Sequence, residues 1–146
     1  MNANARVLVI DDDEIMQEGY RSVLAGANFT VQAARTVDQA FEMLAHQAFD
    51  VVLLAEYLTA DSAGQAALHA IKELWPDIEV VVITGTPSLE VAKEAIRLGA
   101  YNCLAKPVRS DEVSKVTALA AIQKKWTLHR IPSSDSAQPT NEGESS

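Results

Sequence analysis

The chain predicts an α/β fold: one parallel sheet of five strands, with helices packed on both faces. Three observations predict it. Runs such as Val7-Leu8-Val9-Ile10 and Val51-Val52-Leu53-Leu54 are consecutive aliphatics with no polar face, the mark of strands covered on both sides. Between such runs lie segments with apolar residues at helical spacing, so strand and helix alternate along the chain. The length, 146 residues, with 48% hydrophobic and only 5% aromatic content, suits one domain around one sizeable core.

Residues 6–10 form the first expected strand, ending in Asp11-Asp12-Asp13. A helix over 14–25 follows, with Ile15, Gly19 and Val23 in one row and Met16, Tyr20 and Leu24 in the next; Asp13 caps its start and Gly26 its end. The second strand, 29–33, is short and more polar, which suits a sheet edge. Thr36-Val37-Asp38-Gln39 has the form of a capping box, and Val37, Ala40, Phe41 and Leu44 make the buried stripe of the helix it opens. The third strand is the apolar run from Phe49, ending at Ala55. After a loop over 59–64, a helix with Leu68, Ile71 and Leu74 or Trp75 buried runs to Pro76, which stops it. Residues 79–84 form the fourth strand, and Thr86-Pro87-Ser88 opens a helix bearing Val91, Ala92, Ala95, Ile96 and Leu98, closed by Gly99. The fifth strand is 102–105, followed by Lys106-Pro107. The last helix starts at Ser110, with Val113, Val116, Leu119, Ala120 and Ile122 apolar. This succession suits a flavodoxin-like doubly wound (βα)5 sandwich with strand order 2-1-3-4-5, although alternation alone does not fix that order.

Net charge is −8, so the chain lacks the basic footprint that direct nucleic-acid binding requires. A single cysteine, Cys103, can form no intrachain disulfide and fits a reducing compartment. No stretch is long and apolar enough for a membrane span or a signal peptide, so a cytoplasmic location is expected. The domain is expected over 1–128. Residues 129–146 are polar, without aromatics, and read as a disordered tail or truncated linker.

In open parallel sheets chemistry gathers beyond the carboxyl ends of the strands. Here those ends carry Asp11 and Asp12, Ala55, Thr84 and Lys106. Paired carboxylates suit a hard divalent cation such as Mg²⁺, which takes oxygen ligands. A hydroxyl and an ammonium suit a phosphoryl group bound beside it. Each part alone has an ordinary explanation: a turn, a strand propensity, a common dipeptide. Gathered at the ends of separate strands, Asp11, Asp12, Thr84 and Lys106 are harder to dismiss together. The three histidines, His46, His69 and His129, lie away from strand ends, and no nucleophile–base pair or glycine-rich phosphate loop is evident. An enzyme is therefore not expected.

Over residues 5–126 the chain resembles the receiver domain of two-component response regulators. The resemblance rests on Val7-Leu8-Val9-Ile10-Asp11-Asp12-Asp13, on Phe49-Asp50-Val51-Val52-Leu53-Leu54, on Val81-Val82-Ile83-Thr84-Gly85, and on the run from Glu94-Ala95-Ile96-Arg97-Leu98-Gly99-Ala100 to Lys106-Pro107. The last of these is similar to receivers attached to nitrogen-regulator-type transcriptional activators. The resemblance implies a phosphorelay module that receives a phosphoryl group from a sensor histidine kinase or phosphotransfer protein. It implies that Asp11, Asp12 and the backbone carbonyl of Tyr57 hold Mg²⁺, that Thr84 and Lys106 bind the phosphoryl group, and that the Lys106-Pro107 bond is cis. It also implies a partner or homodimer face on the fourth helix, fifth strand and fifth helix, carrying Lys93, Glu94, Arg97, Asn102, Cys103, Lys115 and Lys124. Trp126 and Leu128, at the end of the fifth helix, either cover the core or mark where an absent output domain or dimer helix continues.

Three departures from the family pattern matter. The acceptor Asp, five residues on from Asp50, is replaced by Ala55, whose methyl can neither attack phosphorus nor ligate metal. The following loop has Thr59 where Pro is usual, and Gly64 falls one residue late, so that counting back from it would point to Glu56. Strand periodicity favours Ala55, because a one-residue slip would turn the whole apolar run. Cys103 stands where many receivers carry a Tyr or Phe. The expected reading is a receiver not phosphorylatable at position 55, with weakened Mg²⁺ binding, whether the Asp was lost in evolution or replaced deliberately. Two readings stay open beside it: a phosphorylation-independent pseudo-receiver that works as an interaction module, and a site using Glu56.

Overall fold

A computed structural model describes residues 4–57 and 63–129. Its elements, in chain order, are β1 (Arg6–Ile10), α1 (Glu14–Gly26), β2 (Thr30–Ala34), α2 (Val37–His46), β3 (Val51–Tyr57), α3 (Ala63–Leu74), β4 (Glu79–Thr84), α4 (Leu89–Arg97), β5 (Asn102–Ala105) and α5 (Ser110–His129). All neighbouring strands are parallel, in the order β2-β1-β3-β4-β5. The flavodoxin-like fold expected from the alternation is therefore the fold observed, with β2 at an edge. The polar tail expected after residue 128 falls, but for His129, outside the described residues.

Strand alternation divides the core in two. Leu8, Ile10, Val52, Leu54, Val80 and Val82 face α2, α3 and α4, where Ala40, Leu44, Leu68, Ile71, Val91 and Ala95 are buried. Val7, Val9, Val51, Leu53, Ala55, Val81 and Ile83 face α1 and α5, meeting Tyr20, Leu24, Val113 and Ala120. The period-two side-chain rule thus explains why these runs carry no polar face.

Local signals act as their chemistry requires. The Asp13 carboxylate accepts from Ile15 N at 2.9 Å and opens α1. Thr36 Oγ1 accepts from Gln39 N at 3.0 Å, and Gln39 Oε1 accepts in return from Arg35 N at 2.8 Å, one residue before the position a full capping box uses. Ser88 Oγ accepts from Val91 N at 3.0 Å to open α4. The Lys106-Pro107 bond is cis.

Several expectations need correction. Gly26 is the last residue of α1 and not its left-handed cap: Asn28 takes the left-handed conformation (φ 73°), and Phe29 N donates to Leu24 O across it at 3.0 Å. Large residues expected inside lie outside: Ile15 is 82% exposed, Leu74 61%, Ile96 50%, Leu119 45% and Ile122 62%. Ile15 sits in the first turn of α1; of the two candidates Leu74 and Trp75, it is Trp75, edge-on to Phe41 with ring centroids 5.6 Å apart, that packs against the core. In α5 the buried stripe runs through Val113, Thr117, Ala120 and Ala121, small residues that let the helix approach the sheet and turn Leu119 and Ile122 outward.

The third strand also ends later than expected. It passes Ala55 and continues to Tyr57, with a register shift: Leu54 pairs with Val82 but Tyr57 with Thr84. Three steps on β3 match two on β4, so one extra residue is accommodated at Ala55-Glu56 as a β-bulge. That bulge is where the one-residue ambiguity between Ala55 and Glu56 has its structural origin.

Candidate functional site

The carboxyl ends of β1, β3, β4 and β5 form one rim, and register alone sets its order. Ile10 pairs with Leu54, so Asp11 and Ala55 come one residue beyond paired neighbours. Both continue the rows that face α1 and α5. Thr84 pairs with Ala105, and Lys106 N donates to Thr84 O at 2.8 Å, so the hydroxyl and amine residues are also neighbours. Thr84 continues the other row, that of Val80 and Val82, and reaches the rim because it is the last residue of β4.

The three consecutive aspartates have three different placements. Asp11 is fully buried (0% exposed). Its Oδ1 accepts from Asp13 N at 2.9 Å, its backbone N donates to Ala34 O at 3.0 Å, and the Gln17 amide donates to its carbonyl. Among the described residues its Oδ2 is buried with no hydrogen-bond partner. Asp12 is exposed, and Asp13 is spent on the helix cap. A buried carboxylate oxygen without a donor is costly unless something positive meets it, which suits a cation. Among the described residues no three His, Cys, Asp or Glu side chains gather to hold a metal. With a methyl at position 55, Asp11 and Asp12 are the carboxylates that follow β1 at this rim, and position 55 adds none.

Ala55 is fully buried. Thr84 is 1% exposed, and its Oγ1 accepts from Thr86 N at 3.1 Å while lying 3.3 Å from Thr86 Oγ1. Lys106 is half-buried, and its stem runs past Gly85, where an added Cβ would stand 3.9 Å from Lys106 Cδ. Tyr57, the expected carbonyl ligand, is the β3 residue paired with Thr84 beyond the bulge. The side chain of Glu56 lies outside the described residues.

On the α4–β5–α5 side, Lys93 and Lys115 are exposed. Arg97 pairs with Glu94 of its own helix at 2.5 Å, and this contact holds the Glu94 carboxyl below its usual pKa. Asn102 Oδ1 accepts from Cys103 N at 2.7 Å. Cys103 is half-buried against the α2–α4 core, and burial pushes its thiol pKa up, so it behaves as a small hydrophobe rather than a reactive group. Lys124 does not belong to that mixed-charge face: its Nζ lies 3.1 Å from Asp50 Oδ1, and both side chains are largely covered. Asp50 Oδ2 also accepts from Arg6 N at 2.8 Å, so one carboxylate ties α5 to the start of β1. Sequence reasoning missed this link, because Asp50 and Lys124 are far apart in the chain and neither sits in a pattern that pairs them. It also missed a groove between α1 and α5 lined by Ile15, Met16, Val108 and Val113, whose only signal was an apolar residue in the first turn of α1.

Comparison with known proteins agrees with this geometry. A family model described as response regulator receiver domain matches residues 7–118. The transcriptional regulatory protein ZraR of Escherichia coli K12 is 36% identical over 110 residues, covering 75% of this chain and 25% of ZraR. The chain thus spans about a quarter of the length of that relative. A crystal structure of a response regulator receiver domain protein from Clostridium thermocellum superposes with a TM-score of 0.76 at 26% identity, covering 84% of this chain and 98% of the other. NtrX from Brucella abortus does so with a TM-score of 0.77 at 29% identity, covering 86% of this chain and 29% of the other. Register, rim residues and relatives converge, and the chain belongs to the family of response regulator receiver domains of two-component systems.

Proposed function

We propose that this receiver takes part in two-component signalling without accepting a phosphoryl group at position 55. One observation carries the reading: at the bulge near the carboxyl end of β3, one residue past the Ile10–Leu54 pair as Asp11 is, stands the fully buried methyl of Ala55. Phosphoryl transfer needs a nucleophile in line with the phosphorus, and a methyl offers no electron pair. The remaining groups suit the surroundings of such a reaction. Asp11 and Asp12, with the Tyr57 carbonyl, fit a Mg²⁺ ion, and the partnerless Asp11 Oδ2 supports that fit. When bound, the ion would neutralise anionic oxygens at the rim. The Thr84 hydroxyl can donate to an oxyanion, and Lys106 can pair with it. The natural partner is a sensor histidine kinase or phosphotransfer protein, and ZraR-like relatives suggest an output domain beyond this segment.

The test is intact mass after incubation with acetyl phosphate and Mg²⁺. The Ala55 protein should gain no phosphoryl group, and Ala55→Asp should gain one. A phosphoryl adduct on the Ala55 protein would overturn the reading and direct attention to Glu56.

Exposed Ile96, Leu119 and Ile122 on α4 and α5 favour a second reading, an interaction module that pairs through this face whatever the state of position 55. It predicts a homodimer in sedimentation at micromolar concentration, lost in Leu119→Asp and Ile122→Asp. A monomer throughout that range would remove it.

A further inference from the structure

At the amino ends of the strands, opposite the rim, lies an open cavity of about 300 Å³. It forms where the turns into β3 and β4 meet the last turns of α2 and α3, and Lys124 of α5 reaches its edge. Phe49 lines it as a buried ring, Trp75 as a half-buried one, and Leu74 as an aliphatic side chain 61% exposed. Asp77 is exposed on the same lining and forms no ion pair among the described residues. A large aliphatic side chain left in water beside two aromatic rings is apolar surface waiting for a cover. Small-molecule sites run from about 300 to 1,000 Å³, so a cavity at the lower limit suits the side chains of a short peptide segment better than a cofactor.

The segment nearest to it is the chain's own continuation. Lys124 lines the cavity and α5 ends at His129, five residues on and about 7.5 Å further along the helix axis. Lys124 is held there by Asp50, with Nζ 3.1 Å from Asp50 Oδ1, so the exit of the helix stays next to the cavity. Arg130-Ile131-Pro132 follow, outside the described residues. Three extended residues reach about 10 Å, enough to return over the distance that α5 has run past Lys124. Pro132 disfavours helical backbone at Ile131, so the sequence favours a turn off the helix axis at this point. Ile131 is the one branched aliphatic residue among residues 130–146, and Arg130 beside it carries the charge opposite to Asp77.

We propose that Arg130-Ile131-Pro132 folds back and docks in this cavity, with Ile131 against Leu74 and Trp75 and Arg130 paired with Asp77. Tethering gives this segment an effective concentration on the order of millimolar, an advantage that no free peptide has. The contact sets the direction in which the chain leaves the domain, and it does not depend on what position 55 carries.

Methyl NMR on the intact chain, labelled at the isoleucine δ1 positions, tests this, with Ile131 assigned through Ile131→Val. The Ile131 methyl should show nuclear Overhauser contacts to the Trp75 ring and an upfield ring-current shift, both unchanged on dilution. Leu74→Asp, at a position exposed in the fold, should abolish both. Asp77→Arg should move the methyl toward its unfolded-peptide shift, and Asp77→Arg combined with Arg130→Asp should move it back. An Ile131 methyl at the unfolded-peptide shift with no contact to Trp75 would overturn the proposal. Contacts that vanish on dilution, or that arise only between differently labelled copies, would overturn it in favour of a second copy as the occupant. A signal indifferent to both Leu74→Asp and Asp77→Arg would overturn it too, by placing Ile131 elsewhere.

Discussion

Glu79 opens β4 half-buried near Lys72 and Asp77. Burial raises its pKa above the ordinary 4.5, Lys72 lowers it by less, and Asp77 adds to the rise. An acid with a raised native pKa holds its proton more tightly when folded. Its contribution is fully present below the unfolded pKa and is lost as pH rises through the folded value. Glu79→Gln should therefore raise the urea midpoint at pH 7 relative to the parent and lose that advantage below about pH 4.5. Equal gains at both pH values would show that ionisation is not the cause. Gly99 makes a sharper case at the same scale, with φ at 108° and a virtual Cβ only 3.1 Å from Lys72 Cγ. The lysine stem can move, but the backbone cannot, so Gly99→Ala should cost about 1–3 kcal/mol in chemical denaturation. The glycine after α4 was legible as a helix terminator, whereas Asn28 was not, because Gly26 two residues earlier gave the stronger signal. Asp11, Thr84 and Lys106 were legible because each stands at, or one residue past, the end of its own strand. The separate placements of Asp11, Asp12 and Asp13 were not, since only the path of the chain decides which carboxylate turns inward.

Helices and strands follow the sequence where one strong local signal decides, and depart from it where packing decides. The N-cap of α4 is such a signal, and Ser88→Ala should cost about 1 kcal/mol of stability, read from the denaturation midpoint. The inward faces of α4 and α5 were only half legible. Their apolar residues span more of the helix surface than the sheet can cover, so Ile96, Leu119 and Ile122 remain outside. The β3 bulge was foreshadowed by the late Gly64, but where the extra residue would be absorbed depends on the pairing of Tyr57 with Thr84. Long-range ties leave no local trace. The Asp50–Lys124 pair, with both side chains mostly covered, should show more coupling than an exposed pair such as Arg109–Asp111. A double-mutant cycle with Asp50→Asn and Lys124→Met is expected to give about 1–2 kcal/mol, against under about 0.5 for the exposed pair. A coupling near zero would mean that α5 is held by packing alone.

For the molecule as a whole, charge and metal would decide what a carboxylate placed at position 55 changes. The sheet holds its rim residues in place from both sides, so replacing one side chain alters local repulsion without altering the fold. With Ala55, two carboxylates share the rim beside Lys106. With Ala55→Asp, three do, and like charges held close in a partly buried site oppose folding unless a cation intervenes. In chelator, Ala55→Asp should therefore melt at a lower temperature than the Ala55 protein. Adding Mg²⁺ should reverse the order or nearly so, because a ligand that binds only the native state stabilises by RT ln(1 + [L]/Kd) and the three-carboxylate site has the smaller Kd. Thermal melts of both proteins across a Mg²⁺ series measure both terms at once. The chelator melts give the repulsion, and the slope against the logarithm of Mg²⁺ concentration gives the relative affinities. If the two proteins respond to Mg²⁺ alike, the ion is not held by position 55, and the rim would have to bind it through Asp11 and Asp12 alone.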